Sequence, residues 1–140
     1  MPWQFVIDCV AASRNYWVAS VGPQNRVHAM PIWGVLIDDD LYLETDPRTR
    51  KARNIAVNPS VAVHLEDGDQ VVIVEGLARA HAPDADLGAK LAAAFSGKYS
   101  GYDRAPNCWD GGGMDFVDPL VVFAWRGMPT ALRWRFESPA

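Results

Sequence analysis

Two runs, Val61 to Leu65 and Val71 to Arg79, are rich in β-branched residues and flank the turn Glu66-Asp67-Gly68-Asp69. Such side chains are stiff about χ1 and pack well on a pleated surface, and a short Gly-containing turn between two such runs makes a hairpin. Val61-Ala62-Val63 and Val71-Val72-Ile73-Val74 lack the polar alternation of a half-solvated strand, so both faces of this hairpin are expected to be covered. The rest of the chain has to supply that cover.

Tyr16 to Val21 reads as a strand ending at the turn Gly22-Pro23-Gln24-Asn25. A second strand is expected from about Val27 to Ile37, and a third over Leu41 to Thr45 after the polar turn Asp38-Asp39-Asp40. Asp46 as N-cap and Pro47 at the first helical position open a helix that Asn58-Pro59 ends, with Ala52, Ile55 and Ala56 as its apolar stripe and Arg50, Arg53 and Asn54 on a polar face. Pro83-Asp84 opens a second helix, in which Leu87, Leu91, Ala94 and Phe95 recur at helical spacing until Gly97. Residues 96–115 read as a long connection, and Leu120 to Trp125 and Leu132 to Phe136 as closing strands. About seven strands with two or three short helices predict a mainly β fold, a small closed barrel with helical decorations. Too few helices are present for a doubly wound sheet, which needs a crossover helix for nearly every strand. At 140 residues the expectation is a single domain over 1–140.

Removing the cations Arg48, Arg50, Lys51 and Arg53 from the net charge of −4 leaves −8, so a basic island sits on an acidic chain. Nucleic-acid binding, which needs a wider basic surface, is not expected. No apolar run approaches the roughly 18 to 20 residues that span a bilayer, so no membrane partner is expected either. The opening Met1-Pro2-Trp3-Gln4-Phe5 lacks the basic start and apolar core of a signal peptide, and the expected location is the cytoplasm. Cys9 and Cys108, like His28, His64 and His81, show no metal-site spacing, and no metal is expected. With no nucleophile elbow or Gly-rich phosphate loop, chemistry is expected to come from an organic cofactor.

The basic island falls where a helix is expected to begin. Unpaired N–H groups and the helix dipole make that end positive, so Asp and Glu are favoured there and cations are not. A bound phosphate resolves the conflict, because it takes hydrogen bonds from free N–H groups, guanidinium and ammonium together. Thr49 can donate to such a phosphate or simply cap a turn.

The order of Met30-Pro31-Ile32-Trp33, Leu43-Glu44-Thr45, Arg50-Lys51-Ala52-Arg53-Asn54, Asn58-Pro59 and Val74-Glu75-Gly76-Leu77-Ala78 resembles the pyridoxamine 5′-phosphate oxidase-like split-barrel superfamily. The likeness covers roughly Tyr16 to Arg79, with support from Phe123-Ala124-Trp125-Arg126-Gly127 and Arg133-Trp134-Arg135-Phe136. It implies a split β-barrel of six to seven antiparallel strands, a homodimer, and FMN in a groove between subunits, with the deazaflavin coenzyme F420 as the alternative. On this resemblance the strand His28, Ala29, Met30, Pro31, Ile32 and Trp33 runs beside the ribityl chain and ring through its backbone. Glu44 and Thr45 match the strand end near the cofactor, and Arg50 and Lys51 the pair that holds its phosphate. Trp125 together with Arg133 or Arg135 matches residues that come from the partner subunit; spacing favours Arg135 and strand alternation leaves the choice open. Arg48 and Arg53 are cations that a longer anionic tail would use.

Two departures shape the expectation. In place of the Ser-Arg-Pro-containing substrate segment of true pyridoxamine phosphate oxidases the chain has Phe95-Ser96-Gly97-Lys98-Tyr99-Ser100-Gly101-Tyr102, which points away from vitamin B6 chemistry. Gln70 sits one residue off the family's cofactor-contacting Gln and without a bulge faces the wrong side, so it is not counted as a site. The short chain with its Arg-Trp-Arg-Phe end is more similar to flavin- and deazaflavin-dependent reductases. The implied function is an oxidoreductase transferring hydride to or from a small organic substrate, with no side chain singled out as catalytic. Tyr99, Tyr102 and Trp109, with Gly111-Gly112-Gly113 beyond, are either a lid over the ring or a disordered connection. The alternative function is a non-catalytic flavin- or haem-binding carrier.

Overall fold

A computed structural model describes residues 3–127 and 131–137. Met1 and Pro2, which begin the segment inspected for a signal peptide, lie outside them. Helix α1 (Trp3–Ala12) comes first, then strands β1 (Tyr16–Val21), β2 (Val27–Ile32), β3 (Gly34–Ile37) and β4 (Asp40–Glu44). Helix α2 (Arg50–Val57), strands β5 (Ser60–His64) and β6 (Val71–Ala80), helix α3 (Ala85–Lys98), and strands β7 (Met114–Trp125) and β8 (Leu132–Arg135) complete the order.

Every strand pairing is antiparallel, and the sheet runs β2-β1-β5-β6-β7-β4-β3 with β8 added on β7. Its two ends, β2 and β3, are the halves of the strand expected over 27–37, which bends at Trp33. The curled sheet is thus closed by chain continuity at that corner, not by a hydrogen-bonded seam, which makes it the split barrel that the resemblance implies and not the fully closed one read from the strand pattern. The hairpin β5–β6 lies at its centre, as its doubly apolar runs require.

Several elements differ from the sequence expectation. Helix α1 was not anticipated; Phe5, Val6 and Val10 turn into the main core, and Gln4 Nε2 bonds Asp8 Oδ1 one turn on at 2.8 Å. Helix α2 begins three residues later than Pro47, with Thr49 as its cap, because the Asp46 carboxylate is engaged by Arg48. Asn54 is buried and donates to Ser20 Oγ at 3.1 Å, so it pins α2 to β1 and leaves the polar face assigned to it. Helix α3 passes through Gly97 to Lys98. Strand β7 starts at Met114, not Leu120. Asp115, Asp118 and Pro119 mask the run, and the register shift beside Glu75/Gly76 leaves Leu120 as an extra residue next to Pro119, where a missing N–H costs little. A Cβ on Gly76 would lie 2.2 Å from Asp118 O, so this close crossing requires glycine. The shift belongs to β7; β5–β6 pairing is unbroken from Ser60↔Leu77 to His64↔Ile73, and so Gln70 gains no turn of face.

The main core fills the sheet's concave side with Tyr16, Val18, Leu41, Leu43, Val63, Val72 and Val122. A second core lies outside β3–β4, where Val35, Tyr42 and Met114 meet Leu91, Phe95, Tyr99 and Trp109. Residues 99–113 are therefore neither a lid nor disordered: Tyr99 and Trp109 are buried in this second core.

Lys98 fastens α3 to the barrel, donating from Nζ to Tyr16 Oη at 2.6 Å and to Gly34 O at 2.9 Å. Burial, with Arg14 nearby, pushes its pKa down to about 8 from 10.5, while burial raises those of Tyr16 and Tyr99. Below pH 8 native and unfolded lysine are both charged. Between pH 8 and 10.5 the unfolded chain holds a proton that the native chain has lost, so stability rises with pH. Above about pH 10 unfolded tyrosines ionise while Tyr16 and Tyr99 do not, and stability falls. The raised Cys9 and Cys108 thiols act in the opposite sense over the same range, so the Lys98 contribution is read against Lys98→Met: the parent's melting temperature is expected to rise relative to that variant's from about pH 8 to about pH 10. A difference between the two that does not change with pH would contradict this account.

Candidate functional site

The site is built around the first turn of α2, where the four cations take four different roles. Arg48 precedes the helix and pairs with Asp46, its Nη2 lying 2.8 Å from Oδ2, which holds the carboxyl down to about 2. Arg53 turns back and donates Nη1 to Arg48 O at 2.8 Å. Arg50 is exposed and Lys51 is 6% exposed, and neither side chain makes a hydrogen bond or close ion pair with any described residue. Thr49 Oγ1 is spent on the cap, accepting from Ala52 N at 3.3 Å and donating to Asp46 O at 2.7 Å. The amides of Arg50 and Lys51, first in the helix, have no intrahelical acceptor.

Beside this turn Thr45 follows β4, its N–H held by Gly113 O at 2.8 Å. Its Oγ1 is buried and unpartnered, close to Asp115 but without a well-formed hydrogen bond. Asp115, 7% exposed, went unnoticed in the sequence because it sits inside the masked start of β7. Burial pushes the Asp115 carboxyl up and the Lys51 ammonium down, and their mutual attraction opposes both shifts.

The Glu44 carboxylate has partners within the chain. Its carboxylate accepts from Tyr102 Oη and from Trp109 Nε1 at 2.8 Å, and Arg104 Nε lies 3.3 Å away. It anchors the 99–113 segment, while its backbone N–H bonds Trp33 O at 3.0 Å. Tyr102 and Trp109 were legible only as loop aromatics, and the role of Arg104 had no local signal.

Strand β2 ends the sheet order, so half of its backbone groups point away from β1 with no strand to take them. Met30 and Pro31 are exposed, His28 and Ile32 half-buried, and Trp33 stacks on Tyr99 with ring centroids 4.2 Å apart. Trp125 and Arg135 are elsewhere. Trp125 lies at the far end of β7, roughly 35 Å along the strand from the Gly113–Thr45 contact at about 3.3 Å per residue. Arg135 pairs with Val121 and is exposed. Neither is brought to α2 within one chain.

Two clefts adjoin these elements. One of about 530 Å³ lies between α2, the end of β6 and the start of β7, lined by Thr45, Arg53, Arg79, Asp115 and Gly111 to Gly113. Another of about 820 Å³ lies between α1 and the β5–β6 turn, with Cys9, Arg14, Gln70 and Arg126 on its walls. Both cysteines are free thiols. Among the described residues no group of His, Cys, Asp and Glu converges as metal ligands, and no helix is long and apolar enough to cross a membrane.

A curled antiparallel sheet whose two ends meet at the Trp33 corner defines a split barrel. The sequence profile of pyridoxamine 5′-phosphate oxidase matches residues 4–111, and the chain belongs to that family. The structure is similar to the conserved hypothetical protein Rv2991 from Mycobacterium tuberculosis, with a TM-score of 0.75 at 24% identity over 89% of this chain and 84% of that one. It is also similar to HutZ, the heme storage protein from Vibrio cholerae, with a TM-score of 0.70 at 16% identity over 86% and 92%. An F420 reductase aligns with a TM-score of 0.63 at 23% identity over 82% and 93%. No curated protein matches in sequence.

Proposed function

We propose that the chain is a flavin-dependent oxidoreductase that works as a homodimer, with FMN as coenzyme and the deazaflavin F420 as the alternative. The observation that carries this reading is the pair Arg50 and Lys51, two cations whose side chains make no hydrogen bond or close ion pair with any described residue, beside the buried Thr45 Oγ1 and two helix amides with no intrahelical acceptor. That donor set suits a phosphate dianion: it offers charge, a hydroxyl and backbone N–H groups together. When bound, the coenzyme supplies hydride chemistry. The protein's part is position and electrostatics. Arg50, Lys51 and Thr45 hold the phosphate end, and the free backbone edge of β2 from His28 to Trp33 offers donors and acceptors to ring heteroatoms. Trp33, fixed by its stack on Tyr99, bounds the ring side. Arg48 and Thr49 hold the turn that presents the clamp, since Asp46 and the cap occupy their side chains. Trp125 and Arg135, which the resemblance assigns to the site, would reach it from a second copy.

A parallel titration of the protein with FMN and with coenzyme F420 tests this. Saturable binding of one of them in the micromolar range or tighter, with turnover of the bound coenzyme by a reductant, is expected. Binding of neither would end the proposal, and tight binding of haem with no redox turnover would replace it with a carrier.

A further inference from the structure

Three strands and a helix bring one acid to the base of the cationic turn. The register sets Asp115 of β7 opposite Leu43 of β4 and Ala80 of β6, and cross-strand neighbours share a face of the sheet. Thr45, two residues beyond Leu43, continues that face, and Lys51 meets it from the first turn of α2. Thr45, Lys51 and Asp115 are all more than nine-tenths buried. Lys51 and Thr45 offset the Asp115 charge, yet neither closes on it: Lys51 makes no close ion pair, and Thr45 Oγ1 has no formed hydrogen bond. The other charges on the surrounding elements are engaged or turned away. Asp46 attracts Lys51 from the turn but is paired with Arg48, Arg53 donates to Arg48 O, and Arg79 lies 3.2 Å from Asp118. Glu44 is taken by Tyr102, Trp109 and Arg104, the His81 ring packs near Tyr42 and Phe116, and Arg50 is exposed. Lys51 and Thr45 are thus the groups that Asp115 and a bound phosphate would have to share.

We propose that Asp115 competes with the coenzyme phosphate for Lys51 and Thr45 Oγ1, so that phosphate binding is coupled to uptake of a proton by Asp115. This rests on the phosphate reading of Arg50, Lys51 and Thr45 given above. The Thr45 hydroxyl has a single hydrogen, and once it is donated to phosphate none is left for the carboxylate. The Lys51 charge is drawn to the phosphate, which itself repels an ionised Asp115. Burial already raises the Asp115 carboxyl, and losing both supports raises it further. By linkage, phosphate affinity is greatest with Asp115 protonated and falls as pH rises, until Asp115 is ionised in the free and bound states alike. Asp115 is therefore a positioning residue that acts on the coenzyme through Lys51 and Thr45.

The test is calorimetric titration of the parent and of Asp115→Asn with FMN, coenzyme F420 and inorganic phosphate, between about pH 5.5 and 8 and in buffers of different protonation heat. Asp115→Asn is expected to bind FMN at least about tenfold more tightly than the parent at pH 8, with the ratio shrinking towards pH 5.5. The phosphate's own titration near pH 6 is common to both proteins and cancels in that ratio. Near pH 6.5 the parent is expected to take up a larger fraction of a proton on binding than the variant does. Should Asp115→Asn not fold, infrared difference spectra of the parent are expected to show a protonated carboxyl band appearing with FMN, and its absence at every pH would overturn the proposal. So would an affinity ratio that does not change with pH, or weaker binding by Asp115→Asn throughout, which a purely structural role would give. FMN bound with no such coupling ends the role of Asp115 and leaves the coenzyme reading standing. Proton-coupled binding of inorganic phosphate with neither coenzyme bound does the reverse, and binding of none of the three ends both.

Discussion

Replacing Arg50 by alanine and Lys51 by methionine is expected to weaken FMN binding by about two to four orders of magnitude. Each charge-assisted contact to phosphate contributes about 1.5–3 kcal/mol, and two are removed. Arg50 is exposed and unpaired, so its loss removes no contact from the protein. Lys51 is buried, and alanine would leave a gap under α2; methionine keeps the stem and removes only the charge. The Asp115 carboxylate then loses a favourable neighbour, and a small loss of stability is expected beside the large loss of affinity. Quenching of flavin fluorescence reads the first and a melting curve the second. An affinity within threefold of the parent's would remove the phosphate clamp from the account.

The second large effect belongs to Glu44→Ala, expected to cost about 3–5 kcal/mol of stability. One carboxylate serves Tyr102, Trp109 and Arg104, and its removal leaves those donors facing a buried gap. Trp109 Nε1–H is the worst placed, because Trp109 is 1% exposed and water does not readily replace its acceptor. A loss of that size lowers the melting temperature by about 8–15 °C in a chain of this length. Cleavage by protease within 99–113 is expected to accelerate as the segment lifts from the second core. Glu44→Gln, which keeps one acceptor, should fall between parent and alanine. A shift below about 2 °C for Glu44→Ala would show that the segment is held by packing alone.

The pattern of the chain located the hairpin β5–β6, the helix after β4 and the cationic turn, because β-branched runs, capping residues and charge against a helix dipole are local signals. Period and turn chemistry were hidden wherever a polar residue served a distant partner. The start of β7 looked like loop because Asp115 and Pro119 break its alternation, and only the crossing at Gly76 shows why Pro119 is tolerated. The spacing around Glu44 gave no sign that its carboxylate is taken by side chains 58 to 65 residues further on. Helix α1 has little local signature, and the packing of Phe5, Val6 and Val10 into the barrel defines it.

The four cations mark the boundary between what was local and what was not. Their crowding at a helix start, with Asp46-Pro47 before and Asn58-Pro59 after, was a property of the sequence alone, and it points to an anion because a helix N-terminus repels cations that have no counter-charge. Which of the four remain available was decided by tertiary structure. Asp46 neutralises Arg48, a carbonyl holds Arg53, and the barrel floor buries Lys51 beside Asp115 and Thr45. Desolvation and pairing depend on groups brought together from β4, α2 and β7, and no spacing along the chain records that meeting.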